Sequence, residues 1–237
     1  MSELTPPERI VLAVDTSDEL EANRQVKIAR AAGAKFVKFG LELSSATSWR
    51  YCSKLAESNE LEWIADAKLN DIPNTVAAAV RNIKDVDYPP FGITMHATSG
   101  IEAMQAAQKE ADLIKMFGVT ILTSIGNEEA KRMYNIESDK SVYNLARGIA
   151  KAGLLGIVCS AYEVGKIKRF PETENLFAMV PGIRSIGSNV NDQKRVNTPA
   201  IAIKEGADLI VVGRQITAAE DAAKAYQSVI DEVKGAL

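Results

Sequence analysis

Residues 66 to 75 read Asp-Ala-Lys-Leu-Asn-Asp-Ile-Pro-Asn-Thr, directly after a largely apolar stretch from Leu61 to Ala65. Side chains alternate along a strand, so Asp66 and Lys68 share a face with Ile64, while Trp63, Ala65 and Ala67 take the other. Acids and a lysine packed where a strand leaves the core are costly to desolvate unless they pair. Such an array can shape an electric field. An ammonium held beside a reacting carbon stabilises developing negative charge there and can then deliver a proton. Lys68 is the candidate donor, with Lys38, Asp66 and Asp71 completing an alternating set of charges. The plainer reading of D-x-K-x-x-D alone is a solvated turn, because short motifs match by chance.

The elements that must position these residues alternate along the chain. Strands are expected at Arg9–Asp15, Lys35–Gly40, Leu61–Lys68, Gly92–His96, Val119–Thr123, Leu155–Ser160, Leu176–Pro181 and Leu209–Gly213. Helical patterns fall at Asp18–Ala32, Ala46–Ser58, Thr75–Lys84, Gly100–Glu110, Val142–Ala152, Ala161–Arg169, Pro199–Lys204 and about Ala218 to Val233. The strands are short and rich in Val and Ile, as strands buried on both faces should be. Eight of them in a chain of 237 residues fit a (β/α)8 barrel of the α/β class, a single domain over residues 1–237. A doubly wound open sheet is the rival. Asp15, Lys38, Asp66, Lys68, His96, Thr123, Ser160, Arg184 and Arg214 fall at or just past successive strand ends, which in a barrel converge on one mouth. No G-x-G-x-x-G follows the first strand, which lowers the dinucleotide-binding reading.

Composition narrows the class. Charged residues make up 25% of the chain and the formal net charge is -3, so there is no basic footprint for nucleic acid. No apolar run approaches the ~20 residues of a membrane span. The start of the chain lacks the basic and apolar regions of a signal peptide, so a cytoplasmic protein is expected. The two cysteines, Cys52 and Cys159, have no metal or redox spacing and are expected to be reduced thiols. A single histidine, His96, argues against a histidine-based zinc site or triad, and it is given no role.

Four further segments sit at strand ends: Leu12-Ala13-Val14-Asp15, Val37-Lys38-Phe39-Gly40, Pro181-Gly182-Ile183-Arg184 with Asp192-Gln193-Lys194-Arg195 downstream, and Val211-Val212-Gly213-Arg214. Each is weak alone. Gly213 permits close backbone approach, a helix starts near Arg214, and Arg214 can grip a phosphate bidentately. Together with the run from Asp66 to Thr75, these segments resemble the bacterial type of orotidine 5'-phosphate decarboxylase over nearly the whole chain. That family's signature is D-x-K-x-x-D-I-P-x-T.

The resemblance implies conversion of orotidine 5'-phosphate to UMP and CO2 with no metal and no organic cofactor. It implies that Arg184, Gln193, Gly213 and Arg214 serve the phosphate, that Asp15 and Lys38 touch the ribose, and that Thr123 and Ser124 lie near the pyrimidine. It also implies a homodimer in which Asp71 and Thr75 reach the neighbouring subunit's site. Gly182–Thr198 is expected to fold over the phosphate, and Asn127–Lys140 to be a solvated helical excursion or a partner contact. Two other readings stay open: a magnesium-dependent sugar-phosphate enzyme on the same scaffold, and a nucleotide-binding module without catalysis.

Overall fold

The computed structural model describes residues 4–135, 137–185 and 197–237. In chain order the elements are β1 (Ile10–Val14), α1 (Glu19–Ala31), β2 (Phe36–Phe39), α2 (Leu41–Ala46), α3 (Trp49–Glu57), β3 (Glu62–Leu69), α4 (Pro73–Lys84), β4 (Gly92–His96), α5 (Ile101–Ala111), β5 (Lys115–Val119), α6 (Asn127–Tyr134), α7 (Ser138–Lys151), β6 (Gly156–Val158), α8 (Ala161–Ile167), β7 (Phe177–Val180), α9 (Pro199–Lys204), β8 (Leu209–Val212), α10 (Arg214–Thr217) and α11 (Ala222–Lys234). The strands close in sequence order, with β1 pairing parallel to both β2 and β8. This is the expected (β/α)8 barrel, and closure excludes the open sheet. No described helix is long and apolar enough to cross a membrane.

Strand alternation divides the core in two. Leu12, Val37, Trp63 and Ala65 face the helices. Val11, Phe36, Ile64, Phe117, Met179 and Leu209 fill the barrel interior. At its N-terminal end, Phe36 and Phe177 surround Phe91, with ring centroids 4.7 and 6.5 Å away. The Lys115 ammonium sits 4.2 Å over the Phe91 ring, a cation–π contact. Phe117 fits because a position on each neighbouring strand, Gly92 on β4 and Gly156 on β6, carries no side chain. A Cβ on Gly92 would come within 2.4 Å of its ring and one on Gly156 within 2.3 Å. Bulk thus plugs one end of the barrel. At the other end the inward positions near β1 and β8 are small, Ala13 and Gly213, and the interior opens.

Seven strands lie within about two residues of expectation, the usual uncertainty at element ends. The fifth does not: β5 is Lys115–Val119, four residues before the expected Val119–Thr123. The β-branched run after Val119 looked like the better strand, but the interior slot between Gly92 and Gly156 takes Phe117 and sets the register. The chain then turns off at Thr120, whose hydroxyl donates to the Val158 carbonyl at 3.0 Å. The helix expected over Ala46–Ser58 is broken, because Ser48 caps α3 by accepting the Tyr51 N–H. The last helix begins at Ala222, where Asp221 accepts the Lys224 N–H, and α10 precedes it. Asn127–Lys140 holds the largely exposed α6 and the start of α7.

Candidate functional site at the barrel mouth

β2 and β3 bring Lys38, Asp66 and Lys68 together. β3 is eight residues long, and its end carries both Asp66 and Lys68. Asp66 Oδ2 lies 2.7 Å from the Lys38 ammonium and 2.7 Å from that of Lys68. Lys38 also lies 3.8 Å from Asp15 Oδ1, just past β1. Gly40 leaves room for that pair, since a Cβ there would sit 3.2 Å from the Asp15 carboxylate. Lys38 is 8% exposed and Asp66 7%.

The charges are set by competition. Burial opposes ionisation of Asp66, but the ammoniums of Lys38 and Lys68 and their hydrogen bonds outweigh it, so the carboxyl is held well below its ordinary range. Burial likewise opposes the Lys38 ammonium, and Asp66 and Asp15 more than compensate, raising its pKa. His96 is lowered, by burial and then by Lys68. Burial pushes the Cys52 thiol up to about 12, and both cysteines are free.

β3 is irregular where it carries the chemistry. Ala65 pairs with Ile93 but Leu69 with Met95, so the register shifts between them. Within the bulge Lys68 has φ 45°, a left-handed conformation rare for lysine. Bulges next to active sites re-aim side chains, and here the Lys68 ammonium still meets Asp66.

These groups line a cavity of about 590 Å³ at the mouth. Thr123 and Ser124 contribute one wall, in the segment after β5. Arg184, after β7, and Gly213 and Arg214, after β8, also line it. Arg184 is largely buried, and one of its terminal nitrogens donates to the Ile183 carbonyl at 2.7 Å. In an eight-stranded barrel β7 lies across from β3, so Arg184 joins the lining from the strand opposite the one that carries Asp66.

Not every expected residue meets this cavity within one chain. Asp71 and Thr75 lie outside its lining, Asp71 exposed at the surface. The Asp71 carboxylate accepts the Ile72 N–H at 2.7 Å. Gln193 and most of Gly182–Thr198 lie outside the described residues. Ser160 is spent on structure, forming a capping box with Glu163 at the start of α8. Sequence reasoning missed Glu42, Met179 and Val158 in the lining, and Thr94 behind it. Thr94 could have been found, as a polar residue on the inward face between Gly92 and His96. Glu42 carried no such signal. Among the described residues no group of three or more His, Cys, Asp or Glu is placed to hold a metal ion.

Residues 8–229 match the model of the orotidine 5'-phosphate decarboxylase / HUMPS family. The chain belongs to this family. Curated orotidine 5'-phosphate decarboxylases from Streptococcus pyogenes serotypes M5 and M4 are each 39% identical, covering 96% of this chain and 99% of theirs. The crystal structure of orotidine 5'-phosphate decarboxylase from Lactobacillus acidophilus superposes with a TM-score of 0.81 at 27% identity, covering 95% of this chain and 99% of that one. The enzyme from Pyrococcus horikoshii OT3, at 21% identity and a TM-score of 0.75, shares the fold. Family membership agrees with the resemblance read from the strand-end motifs.

Proposed function

We propose that the protein converts orotidine 5'-phosphate to UMP and CO2 in the cytoplasm, without a metal or organic cofactor. The observation that carries the reading is the Asp66 carboxylate held between two ammoniums at the edge of the cavity, 2.7 Å from each. The family and the 39% identical relatives supply the substrate.

The substrate carboxylate placed beside Asp66 meets like charge. As its bond to the ring carbon breaks, the electron pair stays on that carbon and CO2 leaves. The Lys68 ammonium stabilises the developing carbanion and gives it a proton, forming UMP. Lys38 acts through Asp66, neutralising it and holding it against Lys68. Arg184 and Arg214 suit the phosphate, because a guanidinium binds its oxygens bidentately. Gln193 is assigned to the same phosphate. Phosphate binding far from the ring can then support the chemistry if it helps hold the closed site, the role proposed for Gly182–Thr198.

Asp71 and Thr75 complete the site of a second copy in a homodimer. Their place outside the cavity of their own chain, and the 66% exposure of apolar Ile72 between them, support this.

The test is turnover of orotidine 5'-phosphate, followed by ultraviolet absorbance with excess chelator present. Conversion to UMP at an undiminished rate is expected. A folded protein that left the substrate unchanged would overturn the reading. Activity on sugar phosphates that needed added magnesium would replace it.

A further inference from the structure

Thr94 lies on the inner face of β4, wholly buried, and the chemistry above makes no use of it. Its hydroxyl has two partners. It donates to Asp66 Oδ1 at 2.9 Å and accepts the backbone N–H of Lys68 at 3.0 Å. One proton and one lone pair are thereby used on the two residues that face the reacting carbon.

Both contacts fall where β3 needs support. The register between β3 and β4 shifts between Ala65 and Leu69, and Lys68 sits at φ 45° inside that irregularity. The Thr94 hydroxyl accepts a half-buried N–H that the disturbed pairing would otherwise leave without a partner in the sheet. On the other side, Asp66 has its two ammoniums on Oδ2. A bond to Oδ1 fixes the rotation of the carboxylate, so that Oδ2 stays turned toward both.

We propose that Thr94 is a positioning residue, which sets the Asp66 carboxylate and the Lys68 backbone in register with one hydroxyl. The proposal rests on the decarboxylase reading. Thr94 acts on the substrate through Asp66 and Lys68, so it governs the chemical step more than binding. Small misplacements of reacting groups cost up to about 100-fold in rate.

The experiment compares Thr94→Val, which keeps the shape and loses the hydroxyl, with Thr94→Ser, which keeps the hydroxyl. Valine is expected to lower kcat by about 10- to 100-fold with KM within about threefold of the wild type. Serine is expected to restore kcat to within about fivefold. Amide exchange supplies a readout independent of turnover: the Lys68 N–H should exchange at least about tenfold faster in Thr94→Val alone. A wild-type kcat in Thr94→Val, equal losses in the two variants, or an unchanged Lys68 exchange rate would overturn the proposal. Failure of the decarboxylase reading is seen separately, as a wild type that does not turn over orotidine 5'-phosphate, and it would take this proposal with it.

Discussion

Asp66 is buried between two cations, an arrangement that is stable when complete and costly when one member is removed. Asp66→Asn leaves Lys38 and Lys68 facing each other without the carboxylate, and should cost about 3–5 kcal/mol of stability at pH 7. The sign of its pH dependence follows from linkage. The Asp66 carboxyl is held below its ordinary value in the fold. The unfolded chain therefore takes up the proton first as pH falls. The stabilisation is present above the unfolded value of about 4 and is lost as pH drops below it. Urea unfolding at several pH values should show the gap between wild type and Asp66→Asn narrowing below about pH 4. A gap that did not change with pH would mean that the paired charge is not what Asp66 contributes. At this scale the sequence was readable where chemistry and strand-end position coincide, as at Asp66 and Lys68. It offered Thr94 only as a polar residue on an inward face and was silent on its partners, which come from a neighbouring strand 26 and 28 positions away in the chain.

Elements were legible wherever burial on both faces left a short apolar strand between turns. β4 and α9 matched their expected bounds. β5 was misplaced because strand propensity favours the run after Val119, while packing favours Phe117. The decisive feature is a missing side chain on each neighbouring strand, which no local pattern reveals. It yields a prediction. Gly156→Ala would drive a methyl to within 2.3 Å of the Phe117 ring. Overpacking of this kind costs about 1–3 kcal/mol, several degrees in Tm for a chain of this size. Phe117→Leu in the same chain should recover part of the loss, since the two changes share one space. Additive losses, measured by thermal unfolding of the single and double variants, would contradict the shared slot. The bulge in β3 was also invisible in the sequence, because Lys68 is an unusual residue for φ 45° and its support is tertiary.

The whole molecule opens at one end because side-chain bulk is distributed unevenly along the barrel. Four phenylalanines gather at the N-terminal end. Ala13 and Gly213 border the cavity at the other. Within one chain that cavity gathers Asp15, Lys38, Asp66, Lys68, Thr123, Ser124, Arg184, Gly213 and Arg214. Asp71 and Thr75 stand apart from it. If they serve a second copy, two damaged sites can produce an intact one. Lys68→Ala and Asp71→Ala proteins, each inactive alone, should regain activity after subunit exchange, because each mixed dimer then carries one undamaged site. Recovery should follow the fraction of mixed dimer. No recovery despite verified exchange would place Asp71 outside the partner's site.

The Lys68 ammonium, held by Asp66, is the proposed proton donor and the centre of the proposed chemistry. Its most direct test is the kcat of Lys68→Ala alongside its affinity for UMP. The expected result is a kcat lower by several orders of magnitude in a variant that folds and still binds UMP. A folded Lys68→Ala enzyme that turned over orotidine 5'-phosphate at the wild-type rate would contradict it.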